Sequence, residues 1–136
     1  MYSKILYAVQ LDEANHSNLE KAIDFARAHN AELVVANAVV PVAMSYAYTG
    51  IYFDPTLQDS ILKESKSILA NMTEPYSDIT YEVLVGHPAE SITSFADEGG
   101  FDAILINGHH HKFLGRIGSV AENIVNISKP DVIVFK

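Results

Sequence analysis

The residues with the clearest capacity for chemistry lie in one stretch, Asn107 to Val120, spelled NGHHHKFLGRIGSV. Imidazoles are common ligands of zinc, copper and nickel, so His109, His110 and His111 invite a metal reading. Neighbouring side chains on an extended chain point alternately, however, and three in a row seldom converge on one ion without a ligand from elsewhere. His16, His29 and His87 are scattered and form no H-x-x-x-H pair. The triplet therefore reads as a polar turn, and no metal is expected. Gly118 and Ser119 open an amphipathic segment whose free N–H groups and dipole could hold a phosphate. The same residues spell an S-x-x-E capping box, Ser119 with Glu122, and sequence alone favours that structural reading.

A catalytic set is hard to assemble. There are serines and histidines but no G-x-S-x-G elbow, and the absence of cysteine removes thiol nucleophiles, thiolate metal sites and disulfides together. Asp12 and Glu13 follow the first apolar run, where a carboxylate could meet a ribose hydroxyl, although turn carboxylates near a helix start usually cap or solvate it. No catalytic residue is identified, and the expectation is a protein that is not an enzyme.

The elements that must position these residues follow from periodicity. Five short runs read as strands: Lys4–Val9, Glu32–Val39, Ile79–Leu84, Asp102–Ile106 and Asp131–Phe135. Several are nearly continuous in apolar or β-branched residues, as strands covered on both faces must be. Helical spacing marks four segments between them. Leu19, Ala22, Ile23 and Ala26 lie behind a capping box of Ser17 and Glu20. A second set runs from Leu57 to Met72 after Asp54-Pro55, a third from Ala89 to Ala96 between Pro88 and Gly99-Gly100, and a fourth from Val120 to Ile127. Strict alternation of strand and helix implies parallel strands joined by right-handed crossovers. The fold class is α/β: one open, doubly wound, Rossmann-like sheet of five parallel strands with helices on both faces. In such sheets ligands sit beyond the strands' carboxyl ends, where the strand order reverses, which points to the loops Gln10–His16 and Asn107–Ser119.

At 136 residues the chain fits a single domain, residues 1–136, and an apolar fraction of 49% with 19% charged residues suits a packed core. A net charge of −8, from 17 carboxylates against 9 Lys and Arg, repels phosphate backbones, so neither nucleic acid nor an anionic membrane is an expected partner. No run spans a bilayer and the start lacks the layout of a signal peptide, so the expected address is cytoplasmic. The segment Pro41–Pro55 carries Met44, Tyr46, Tyr48, Tyr52 and Phe53 in an unusually long connection, either a flap, a partner surface or simple packing on the second helix. Its aromatics follow no strand or helix period, so mobility is expected there. The last strand, Asp131–Phe135, has no following helix, and pairing with its own copy would close an apolar edge, so a homodimer is expected through it.

Over essentially its whole length the chain resembles the universal stress proteins. The resemblance rests on KILYAVQLDE, VLVGHPAESITSFADE, FDAILINGHHH and GSVAENIVNISKPDVIVFK, in that order and spacing. It implies the fold inferred above, frequent dimerisation, a non-catalytic role in stress response, and one of two branches, only one of which binds ATP or related adenine nucleotides. The binding branch carries an Asp at the end of the first strand and a loop of the form G-x2-G-x9-G-[ST]. Carried over by position, the Asp falls on Gln10, Gly108 matches the first glycine, and His111 stands where the second should be, with His109 between them. Gly118 and Ser119 match the final pair, but only six residues, Lys112 to Ile117, separate them from His111. A β-carbon at the second glycine and a shortened loop both hinder a backbone cradle for a triphosphate. The resemblance is thus closer to the branch without the ATP loop, which implies a binding or interaction module with no tightly held cofactor. The alternative is a switch that binds ATP or AMP at a degenerate site of Gln10, Gly108, His109, His111, Gly118 and Ser119.

Overall fold

The computed structural model describes residues 1–11, 18–43, 54–108 and 118–136. Strands β1 (Lys4–Ala8), β2 (Glu32–Val39), β3 (Thr80–Val85), β4 (Ala103–Asn107) and β5 (Asp131–Phe135) form one sheet. They alternate with helices α1 (Leu19–Ala28), α2 (Pro55–Thr73), α3 (Pro88–Glu98) and α4 (Ser119–Ile127). The strand order is β3-β2-β1-β4-β5, and every pairing is parallel. This is the doubly wound α/β sheet that strand–helix alternation requires.

Period-two alternation divides the core cleanly. Ile5 and Tyr7 of β1 and Val9 just beyond it join Leu33, Val35 and Leu105 on one face, under Leu19, Ala22, Ile23 and Ala26 of α1 and Leu69 of α2. Leu6 and Ala8 join Val34, Ile104 and Ile106 on the other, under Ala89, Ile92 and Ala96 of α3 and Ala121 and Ile124 of α4. Both faces of the central strands are covered, which is why their sequences run apolar without a polar alternate.

The helix ends show how local chemistry sets the boundaries. Asp54 caps α2 by accepting from the Thr56 N–H at 2.9 Å, and that donation holds its carboxyl below the ordinary value. Helix α3 stops at Gly99, and Gly100 takes φ 71°, a conformation open to glycine at no steric cost. At α1 the expected cap is displaced. Asn18 is the N-cap and its side chain makes no capping bond, while Ser17 lies outside the described residues. Residues 44–53 of the aromatic connection also lie outside them, whereas Val42 is buried and its N–H donates to Gln58 Oε1 at 2.7 Å.

Strand β4 starts one residue later than its apolar run suggested, because Asp102 is engaged elsewhere. Its carboxylate accepts from Ser3 N (2.8 Å), Ser3 Oγ (2.9 Å) and Lys4 N (3.1 Å), latching the start of β1 to the start of β4. Partial burial pulls this carboxyl upward, but the Ser3 and Lys4 donors outweigh it and hold it below the ordinary aspartate value. A depressed folded-state value contributes stability above the unfolded value, and that contribution fades as pH falls through the folded one. Asp102→Asn should therefore lower the urea midpoint at neutral pH, and the gap to wild type should close only below about pH 4. Urea titrations at a series of pH values check this, and a gap independent of pH would count against the latch.

Candidate functional site

Strand β1 is joined to β2 on one side and to β4 on the other, and the winding reverses between β1 and β4. The helices reached from β1 and β4, α1 and α4, lie on opposite faces of the sheet, and a crevice opens at the carboxyl ends of these strands. A cavity of about 480 Å³ occupies it. Ala8, Ala38, Ile92, Ile106 and Ile124 supply apolar walls, and Gln10, Asn37, Asn107 and Ser119 supply the polar side chains of the lining residues. Such a cavity, mostly apolar with a few placed amides and a hydroxyl, suits a small organic ligand.

The structure brings Gln10, Gly118 and Ser119, which come from opposite ends of the chain, to this one cavity. Gly108 follows directly on β4, where its N–H donates to the Phe135 carbonyl at 2.7 Å. His109 and His111 lie outside the described residues, as do His110, Asp12 and Glu13. Among the described residues no three His, Asp or Glu side chains are grouped so as to hold a metal ion.

At α4 the sequence expectation needs correction. Ser119 is not the N-cap: Gly118 holds that position in extended conformation (φ −63°, ψ 161°) and, as a glycine, offers no side-chain cap of its own. The Gly118 carbonyl accepts from the Glu122 N–H at 2.9 Å, so the helix begins one residue earlier than a capping box would place it. Ser119 is then the first helical residue and is exposed. The helix dipole and first-turn N–H groups thus border the cavity behind a glycine N-cap, with Glu122 the acidic residue of the first turn.

Two polar core side chains, those of Tyr7 and Asn37, were not singled out from the sequence. Tyr7 is fully buried on β1, and its hydroxyl both donates to Asn107 Oδ1 (3.2 Å) and accepts from Asn107 Nδ2 (3.0 Å). Asn107 Oδ1 also accepts from Asn18 Nδ2 at 2.8 Å. Burial pushes the Tyr7 phenol up from its ordinary value and the Asn107 contact pulls it partly back, so the hydroxyl stays protonated near neutral pH. Asn37, buried on β2, donates through Nδ2 to Ser65 Oγ of α2 at 3.0 Å. The one signal in sequence was a polar or phenolic residue inside an otherwise apolar run, as in KILYAV and ELVVANAV.

The model of the Universal stress protein family matches residues 1–136. Among curated proteins, a Universal stress protein A homolog from Haemophilus influenzae is 31% identical, with 98% of this chain and 96% of the relative covered. Among solved structures, that of the Methanocaldococcus jannaschii protein MJ0577 is similar with a TM-score of 0.76 at 25% identity, covering 100% of this chain and 96% of the other. A universal stress protein from Archaeoglobus fulgidus, solved in complex with dAMP, is similar in fold with a TM-score of 0.67 at 22% identity, covering 99% and 98%.

The position of Ser119 yields a direct test. A capping serine would cost roughly 0.5–2 kcal/mol when changed to Ala. An exposed first-turn serine without a capping bond costs at most about 0.5 kcal/mol. Urea unfolding of Ser119→Ala should give the smaller figure, and a loss near the larger would return Ser119 to the cap.

Proposed function

The chain belongs to the universal stress protein family, and on that premise we propose that it is a non-catalytic stress-response module whose switch-point cavity takes a small adenine nucleotide with a single phosphate. The observation that carries the proposal is the N-terminus of α4, opened by Gly118, beside an apolar cavity of about 480 Å³. A flat base suits the walls formed by Ala8, Ala38 and Ile92, and one phosphate suits the Gly118–Ser119 turn. The relative solved with dAMP carries a ligand of this size.

A triphosphate asks for more. An exposed helix terminus contributes about 0.3–1 kcal/mol toward an anion, far below the roughly 8 kcal/mol of micromolar binding. The base must therefore supply most of the affinity. Further phosphates would need the glycine that His111 replaces and the longer loop that this chain lacks. Gln10, in the place of an aspartate, lines the cavity with a neutral amide. Amides and a hydroxyl bind and orient a ligand, which fits binding without turnover. None of the helices among the described residues is long and apolar enough to cross a membrane, and a cytoplasmic address accords with the family reading.

The partner proposed is a second copy, paired through β5. That strand is one edge of the sheet, and Val132, Ile133 and Val134 are half-buried. Because the Phe135 carbonyl accepts from Gly108, the backbone groups of Phe135 and Ile133 face β4, and those of Val132 and Val134 face outward. Proline at Val134 removes an outward N–H and leaves the β4 ladder whole.

Two measurements check these readings. Calorimetry with magnesium should show AMP binding at least roughly tenfold tighter than ATP, since each added phosphate goes uncradled. ATP binding tighter than AMP, and lost in Gly118→Val, would overturn the single-phosphate reading. Light scattering should give twice 14.9 kDa for the wild type and a folded monomer for Val134→Pro. A dimer unaffected by the proline would place the interface elsewhere.

A further inference from the structure

We infer that Tyr7 is a positioning residue for the cavity, acting with Asn18 on Asn107 as a clamp that ties the N-terminus of α1 to the carboxyl end of β4 beside the ligand. The inference rests on the cavity being the nucleotide site. Its basis is the connectivity of one hydroxyl. Tyr7 and Asn107 lie on the same face of neighbouring strands, with Tyr7 registered against Leu105, so the phenol reaches along β4 toward its carboxyl end. There it meets the amide of a residue that lines the cavity. That amide in turn accepts from Asn18, the N-cap of α1.

Asn18 closes the connection that leaves β1, and Asn107 opens the connection that leaves β4. The hydrogen bonds from Asn18 and Tyr7 therefore hold the Asn107 amide in place at the edge of the cavity. Packing does not require the hydroxyl, because a phenylalanine would fill the same ring volume between β1 and Phe135, whose ring centroid lies 6.2 Å away. A fully buried hydroxyl is costly unless it is bonded, and its partner here is a side chain at the cavity. Removing the hydroxyl loosens the hold on the Asn107 amide, and through it on the α1 terminus, without taking away a ligand contact.

The test uses the whole chain as Tyr7→Phe, Asn18→Ala and the double variant, each confirmed as folded by thermal unfolding. Binding of AMP should weaken roughly tenfold in each single variant, the scale of one buried hydrogen bond, and the double variant should lose little more than either. Merely structural roles would give independent, additive losses or none. Hydrogen exchange should speed up in Tyr7→Phe at the first turn of α1 and at Gly108, while the α3 amides stay protected. AMP affinity within twofold of wild type in Tyr7→Phe would overturn the inference, as would additive losses or unchanged exchange at both anchors. Should the wild type bind no AMP, the site reading and the clamp's role in affinity fail together, and faster exchange at both anchors would show that the clamp itself exists.

Discussion

The reversal of winding between β1 and β4 is the constraint on which the rest of the molecule depends. Parallel strands need crossovers of one hand, so extending the sheet from β1 toward β2 and β3 places α1 and α2 on one face. Extending it the other way, through β4 and β5, places α3 and α4 on the opposite face. The three inner strands are then sandwiched, and Ile5, Leu6 and Tyr7 of β1 lose all solvent contact. The crevice at the reversal follows from this topology and from no special residue. What the sequence decides is how the crevice is lined.

That lining divides into apolar walls and a few amides whose partners reach across elements. Asn37 is tied to α2 through Ser65, and Asn107 to β1 and α1 through Tyr7 and Asn18. A buried amide must be bonded to be tolerated, so each of these ties also aligns the helix or strand that supplies the partner. The polar rim is in this sense part of the folding specification. The α4 terminus, opened by Gly118, lines the same cavity as Asn37 and Asn107.

Much of the architecture was legible because its signals are local. Apolar runs such as DAILI and DVIVF and the helical spacing of Leu19, Ala22, Ile23 and Ala26 state burial directly, and the strand bounds shift by a residue or so. The shift at Asp102 was not legible, since its partners Ser3 and Lys4 lie at the far end of the chain. Nor was the start of α4, because a capping serine and a first-turn serine are spelled alike and only the extended backbone of Gly118 separates them. Gln10, Gly118 and Ser119 were singled out through family motifs, and all three line one cavity. Tyr7 looked like one more core residue, and the meaning of its hydroxyl depends on Asn107, 100 residues away.

The account stands or falls on whether the crevice at the β1–β4 reversal holds a mononucleotide with its phosphate at the α4 terminus. An amide NMR titration of uniformly labelled protein with AMP tests this most directly. The account predicts the largest shifts at Gly118, Ser119 and Val120, with smaller ones at Gln10 and Ala38 and none near Tyr2 and Asp131 at the opposite end of the sheet. Shifts confined to that opposite end, or an unperturbed α4 terminus at saturating AMP, would contradict it.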